Sequence, residues 1–265
     1  MDKVVIRTSD TFRDFIKKMT LNNEIDIPIE IESERILIRR KDLAMKIYGE
    51  FRAFEVVEGT INDTLLLGIP NSKRFIKYLM VLDGNPLLIK LLDETNDIDK
   101  IFMVGSESPD VSFEVVLSAL SQPDVSPLKL SDFFVDVVLS SDKTKKIFEV
   151  IKLINSDECG ILIRKNEEDK WDVLFKVGSK YEDKGEVIIT TLDTIPQFES
   201  KFIIRLDENN YFIKFHQQDM NSVFGVIDKT GGEIVSYFRL KANGALVVSE
   251  ECDDYIIHYG FVPYT

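Results

Sequence analysis

Thr11 to Met19 reads TFRDFIKKM. Its apolar residues Phe12, Phe15, Ile16 and Met19 recur at the spacing of one helix face, and Arg13, Asp14, Lys17 and Lys18 fall on the opposite face. Ser9 or Asp10, just upstream, is the residue type that accepts the unpaired amide hydrogens of a first helical turn. This short cationic helix sits in a chain that otherwise alternates like β-strand, and the contrast sets the class as α+β with antiparallel sheet dominant.

Outward from that helix, strand signals in the first half are VVIRT from Val4, IDIPIEI from Ile25, RILIRR from Arg35, TLLLGI from Thr64 and IFMVG from Ile101. The second half gives FFVDVVL from Phe133, GILIRK from Gly160, WDVLFKVG from Trp171, EVIITTL from Glu186, KFIIRL from Lys201, VFGVID from Val223, EIVSYF from Glu233 and YIIHYGF from Tyr255. The turns at Lys229–Gly232 and Ala242–Gly244 carry hairpin chemistry. Three more helices are predicted. Asn71 caps one with Phe75, Tyr78, Leu79 and Leu82 inward and Lys73, Arg74 and Lys77 outward. Ser141 or Asp142 caps the next, which buries Ile147, Val150, Ile151 and Ile154 and exposes Lys145, Lys146, Glu149 and Lys152. The last is expected from about Asp207 through Tyr211, Phe212 and Phe215.

The halves repeat. Ser9-Asp10 recurs as Ser141-Asp142, the run Ile36 to Arg39 as Ile161 to Arg164, and Phe75 to Lys77 as Phe212 to Lys214, in the same order and at nearly one offset. A duplicated domain follows, with residues 1–120 and 132–265 as the copies. Between them SQPDVSPLKLS, residues 121–131, holds two prolines that stop both helix and ladder, and it reads as an extended connector.

A chain of 265 residues suits two such domains of about 130 each, large enough to bury a core without staples. Two cysteines allow at most one bridge, the start MDKVVIRTSD lacks the apolar run of a secretory signal, and charged residues interrupt every apolar stretch well short of a membrane span. A cytoplasmic protein with no membrane partner is expected. Thirty-three Lys and Arg against 46 Asp and Glu leave a net charge of −13. That balance argues against a nucleic-acid partner until the positions are considered. The four helix windows, residues 8–20, 71–82, 140–154 and 207–219, carry eleven Lys and Arg against seven Asp and Glu, so the acid lies elsewhere. Arg13 with Lys17, or Lys73 with Lys77, places two cations one turn apart, a spacing that follows a phosphate backbone without reading bases. Exposed helix faces are also commonly Lys-rich for solubility alone, and the fourth window, with Lys214 against Asp207, Glu208 and Asp219, does not share the pattern.

In TFRDFIKKM, in TLLLGIPNSKRFIKYLMVL from Thr64 to Leu82, and in the closing run KFIIRLDENNYFIKF, EIVSYF and DDYIIHYGF, the chain resembles the DNA sliding clamps. The nearer likeness is to the two-domain type of T-even-like bacteriophages, the more distant to proliferating cell nuclear antigen. The resemblance implies a duplicated clamp fold, two similar domains each with antiparallel sheets and two short helices, assembling into a homotrimeric ring. It implies duplex DNA bound without sequence specificity, a replicative DNA polymerase and a clamp loader as partners, and a role as processivity factor. The clamp's DNA-facing helix positions fall on Arg13, Lys17, Lys18, Lys73, Arg74, Lys77, Lys145, Lys146 and Lys152. The connector, with Val125, Pro127, Leu128 and Leu130, and the tail, with Phe261 and Pro263, would border the apolar pocket for a partner's peptide. The chain is longer than the phage type, with the extra length expected near Asp93–Asp99 and Asn166–Lys184, and its fourth helix is acidic.

No enzyme's tools are evident. His216 and His258 belong to no metal-like cluster, Cys159 and Cys252 have no activating neighbours, and no phosphate-binding loop occurs. The acidic runs Glu250 to Asp254 and Glu167 to Asp169 lack calcium-loop spacing. No catalytic residue, metal or cofactor is expected. Two other readings stay open: a non-ring polymerase accessory subunit of the same fold, and an acidic β-rich viral structural or DNA-mimicking protein.

Overall fold

The computed structural model describes residues 4–41, 44–81, 87–92, 101–106, 125–126, 128–154, 156–179 and 183–264. Residues 121–124, Pro127, Leu82 and Asp93–Asp99, which figure in the sequence reading, lie outside them. The chain forms two compact units. One comprises Met1–Arg40, Ile47–Pro127 and Cys252–Ile257, the other Lys41–Lys46, Leu128–Glu251 and His258–Thr265.

In the first unit β1 (Val4–Thr8) leads into α1 (Phe12–Met19), followed by β2 (Ile27–Ile31), β3 (Ile36–Lys41), β4 (Met45–Phe51), β5 (Phe54–Glu58) and β6 (Leu65–Ile69). Then come α2 (Ser72–Val81), β7 (Leu87–Leu92) and β8 (Ile101–Ser106). In the second, β9 (Phe133–Leu139) leads into α3 (Ser141–Leu153), followed by β10 (Cys159–Lys165), β11 (Trp171–Val177), β12 (Gly185–Leu192), β13 (Ile203–Arg205) and β14 (Asn210–Lys214). Then come α4 (Gln217–Val226), β15 (Val235–Lys241), β16 (Leu246–Glu251) and β17 (Tyr255–Phe261). Both orders read strand, helix, five strands, helix, strands.

The sheets repeat as well. Strand order β6-β2-β3-β4 in the first unit matches β14-β10-β11-β12 in the second, where β13 adds outside β14; β1-β7-β8 matches β9-β15-β16. The duplication is therefore real, but two of the three sequence matches do not lie on equivalent elements. Phe75 to Lys77 sits on α2 whereas Phe212 to Lys214 sits on β14, and Ile36 to Arg39 is β3 whereas Ile161 to Arg164 is β10, the counterpart of β2.

In the first unit the core gathers under α1. Phe12, Phe15, Ile16 and Met19 are all buried, and the rings of Phe12 and Phe15 lie 5.0 and 5.3 Å from that of Phe51 on β4. Gly49 makes the approach possible, because a Cβ there would fall 2.3 Å from the Met19 sulfur. In the second unit Ile147 and Ile151 of α3 and Met220, Val223, Phe224 of α4 are buried, with Phe175 of β11 5.9 Å from Phe224.

The fourth helix is displaced from its expected place. Asp207, where the helix was expected to begin, accepts from the Asn209 amide at 2.7 Å and from the Asn210 side chain, while the Leu206 amide donates to the Asn210 carbonyl at 2.9 Å. That arrangement is a tight hairpin, so Asn210–Lys214 continues as strand. The run VFGVID, read as strand, belongs to α4 and its exit: Met220, Val223, Phe224 and Ile227 are buried at helical spacing. Strands β4, β5, β7 and β16 were not anticipated.

Candidate nucleic-acid interface

On α1 the buried stripe holds the opposite face out. Lys17 is exposed, and Arg13 is half-exposed, its Nε 3.7 Å from Asp14. Lys18 departs from the expectation: it is 8% exposed, and its ammonium lies 5.4 Å from the centre of the Tyr255 ring. A helix turns 100° per residue, so Lys18 follows Lys17 round onto the Tyr255 side.

Asn71 caps α2 as the sequence predicts, in a left-handed conformation with φ of 50° and with Oδ1 accepting from the Arg74 amide at 3.0 Å. Ser72 fixes the helix start by donating to the Asn23 carbonyl and accepting from the Ile25 amide. Phe75 and Leu79 are buried, which leaves Lys73, Arg74 and Lys77 exposed. Arg74 Nε donates to the Tyr78 hydroxyl at 2.5 Å.

Ser140, one residue before the predicted cap, starts α3 by accepting from the Lys143 amide at 3.3 Å. Lys145, Lys146 and Lys152 are exposed, Lys146 paired with Asp142 at 2.7 Å, which holds the Lys146 ammonium above its ordinary pKa. Lys152 lies 4.9 Å from the centre of the Phe148 ring. Among the described residues, no carboxylate lies within ion-pair distance of Lys17, Lys73, Lys77, Lys145 or Lys152. An incoming anion would displace no described carboxylate from these five.

Helix α4 differs. It carries no Lys or Arg and one Asp, and its other residues are uncharged. Lys214, placed on a helix by the sequence reading, lies on β14.

The residues expected to border a peptide pocket separate into supports and surface. Leu128 sits over Gly260 of β17, Phe261 is buried with its ring 6.2 Å from Phe215, and Pro263 is buried near Gly244. Leu130 is exposed and Val125 half-buried; Pro127 lies outside the described residues.

The sequence reading missed a neighbouring cleft of about 940 Å³ in the same unit, lined by Ala44, Lys152, Asp157, His216, Asp219 and Tyr264 among others. The rings of His216 and Tyr264 stack there, 4.4 Å apart and 13° from parallel. The Tyr264 amide donates to the Lys214 carbonyl at 3.2 Å, and the hydroxyl, its pKa raised by burial, donates to the Asp157 carbonyl. Three residues so far apart in sequence leave no local signal of that meeting.

Burial pushes the Cys159 thiol up to about 12. Glu30, 2% exposed, is raised by burial despite its 2.7 Å ion pair with Arg39. Among the described residues no group of His, Cys, Asp and Glu is arranged to hold a metal ion, and no helix is long and apolar enough to cross a membrane.

No family model matches the chain, and no curated protein sequence does. Solved structures do. PCNA from Thermococcus kodakaraensis matches with a TM-score of 0.69 over 99% of this chain and 100% of that one, at 12% identity. Proliferating cellular nuclear antigen from Entamoeba histolytica matches at 0.68 over 99% of each chain, with 13% identity. Likeness of that extent at so low an identity is likeness of fold, and it agrees with the repeated strand orders: the chain has the duplicated α+β fold of the PCNA sliding clamp.

Proposed function

We propose that this protein is a DNA sliding clamp of the two-domain bacteriophage type, a homotrimeric ring that encircles duplex DNA and tethers a replicative polymerase for processive synthesis. It performs no chemistry itself. Residues 1–120 and 132–265 are the clamp domains, joined by the connector 121–131, and the protein works in the host cytoplasm.

The observation that carries this reading is the set of exposed lysines on α1, α2 and α3 that have no carboxylate partner among the described residues, on a clamp fold whose net charge is −13. Lys17, Lys73, Lys77, Lys145, Lys146 and Lys152, with Arg13 and Arg74, contact backbone phosphates. Binding is loose and sequence-independent, because lysines at helical spacing meet phosphates and not base edges. Lys18 supports α1 from within. Sheet edges supply the joints of the ring: β12 is terminal in its sheet and carries Ile188 49% exposed, and pairing such an edge with a second copy satisfies its free backbone groups. The polymerase and the loader dock by a short peptide beside the connector and the tail, near Leu130 and Pro263.

Light scattering across a concentration series tests the assembly. One chain is 30.5 kDa, so the ring predicts a stable species of about three times that mass. A monomer at every concentration would sink the closed ring and favour the accessory-subunit reading.

A further inference from the structure

Strand β12 reads GEVIITTL from Gly185 to Leu192. Its doublets Ile188-Ile189 and Thr190-Thr191 let a one-residue slip put isoleucine in isoleucine's place and threonine in threonine's, so side-chain packing specifies the register there only weakly. Yet the strand holds one register. Ile188 is 49% exposed and Ile189 2%. The pairing with β11 shifts between Val173, which faces Thr190, and Leu174, which faces Ile188, and this leaves Ile189 as the extra residue of a bulge. Polar contacts set that choice. Arg164 pairs with Glu186 at 3.2 Å before the bulge, and the Thr191 hydroxyl donates to Asp172 at 2.7 Å beyond it. At the bulge itself the Lys143 ammonium donates to the Ile189 carbonyl at 2.5 Å. Lys143 reaches there, half-buried, from the first turn of α3. Seven residues on, about two helical turns, Val150 meets the start of the same strand, where a Cβ on Gly185 would fall 2.6 Å from its Cγ1. Helix α3 is thus fastened along β12 at two points.

We propose that Lys143 is a positioning residue for self-assembly: by holding the Ile189 carbonyl it fixes the bulge of β12, and so fixes which backbone groups that edge offers to a second copy of the chain. The proposal rests on the ring reading above. The bulge matters because the two registers turn alternate N–H and C=O groups to the free edge. Charge indicates the occupant. Among the described residues no strand pairs with the outer side of β12, and Val187 to Leu192 carry no charge in a chain of net −13. Edges that stay free are blunted by charged side chains, whereas backbone pairing with a second copy needs none. The same helix bears the exposed Lys145 and Lys146, so α3 presents cations to solvent while Lys143 holds the joint from its half-buried side.

The test is self-association of the full chain by sedimentation velocity over a concentration series, at a temperature where circular dichroism shows every variant folded. Lys143→Met keeps the length of the side chain and loses the donor. It should move the assembly midpoint to about tenfold higher concentration, and Lys143→Arg should restore it. Lys145→Gln removes the same charge from an exposed position of α3 and should leave the midpoint alone. Ile188→Lys sets a charge on the edge and should block assembly. A merely structural Lys143 would lower the melting temperature and leave the midpoint of the folded protein where it was. That result overturns the inference, as does Lys145→Gln weakening assembly as much as Lys143→Met. Should Lys143→Met not fold, amide hydrogen exchange on the milder Lys143→Gln decides: faster exchange confined to Val187–Thr190 supports the pin, and parental rates there refute it. If the parent stays monomeric, or Ile188→Lys assembles like the parent, the β12 joint of the ring reading fails and this inference with it.

Discussion

Leu128 lies over Gly260 so closely that a methyl group on residue 260 would sit 2.5 Å from its Cδ2. The end of the connector is thus seated by a missing side chain on β17. Gly260→Ala must push Leu128 out or shift the strand, at a cost of about 1–3 kcal/mol. Urea denaturation should show that loss, and limited proteolysis should show faster cleavage after Lys129. The double variant Gly260→Ala, Leu128→Ala should regain most of the stability, since it removes the overlap.

Neighbouring Lys17 and Lys18 should behave oppositely. Lys17→Glu, combined with Lys73→Glu, Lys77→Glu and Lys146→Glu, is expected to abolish DNA retention while the melting temperature moves little, because all four side chains are exposed. Lys18→Glu alone should destabilise by about 1–3 kcal/mol, since it places a carboxylate in a buried site facing the Tyr255 ring. Calorimetry and duplex binding on both variants separate the roles.

Gln217 closes the end of α3. Its Nε2 donates to the carbonyls of Ile151 at 3.0 Å and Ile154 at 2.6 Å, and its Oε1 accepts from the Ser156 amide at 3.2 Å. Gln217→Ala strands these groups and should cost about 1–3 kcal/mol in denaturant midpoint at unchanged slope. Gln217→Glu should be worse, because it loses both donors and sets a negative charge against the negative end of α3.

Cysteine labelling should be sharply unequal. Cys252 is half-exposed, whereas Cys159 is fully buried with its thiol raised by burial to about 12. A single equivalent of alkylation is expected on the native protein at pH 8, and a second only on unfolding. The native state holds the Cys159 proton more tightly than the unfolded chain. Its contribution to stability is therefore complete below the ordinary thiol value of 9.0 and disappears as pH rises towards 12. Cys159→Ala should flatten that alkaline loss; an unchanged pH profile would contradict it.

The parts of the fold that were legible are those where one period dominates. Phe12, Phe15, Ile16 and Met19 leave no strand alternative, and Asn71 with Phe75 and Leu79 marks α2 from its cap inward. The fourth helix was illegible because Asp207 serves a hairpin turn as readily as a cap, and because Val223-Phe224-Gly225-Val226 satisfies both alternation and a buried helix. Strand β4 was obscured by Gly49, an apolar position filled by a neighbour's side chains. Within the candidate interface, exposed lysines could be assigned from helical phase alone. Lys18 could not, since its neighbour Tyr255 comes from a remote part of the chain.

The lysines and arginine of α2 have a consequence for the free protein. Lys73, Arg74 and Lys77 crowd one face of a ten-residue helix whose first turn contains no acidic residue. The folded chain therefore holds like charges together that the unfolded chain can spread apart, and burial of Phe75 and Leu79 keeps the helix down against that internal pressure. Simple salt relaxes it by screening, and a bound polyanion relaxes it further by neutralising it. The melting temperature of the protein is thus a built-in gauge of occupancy, rising when the cationic surface is covered.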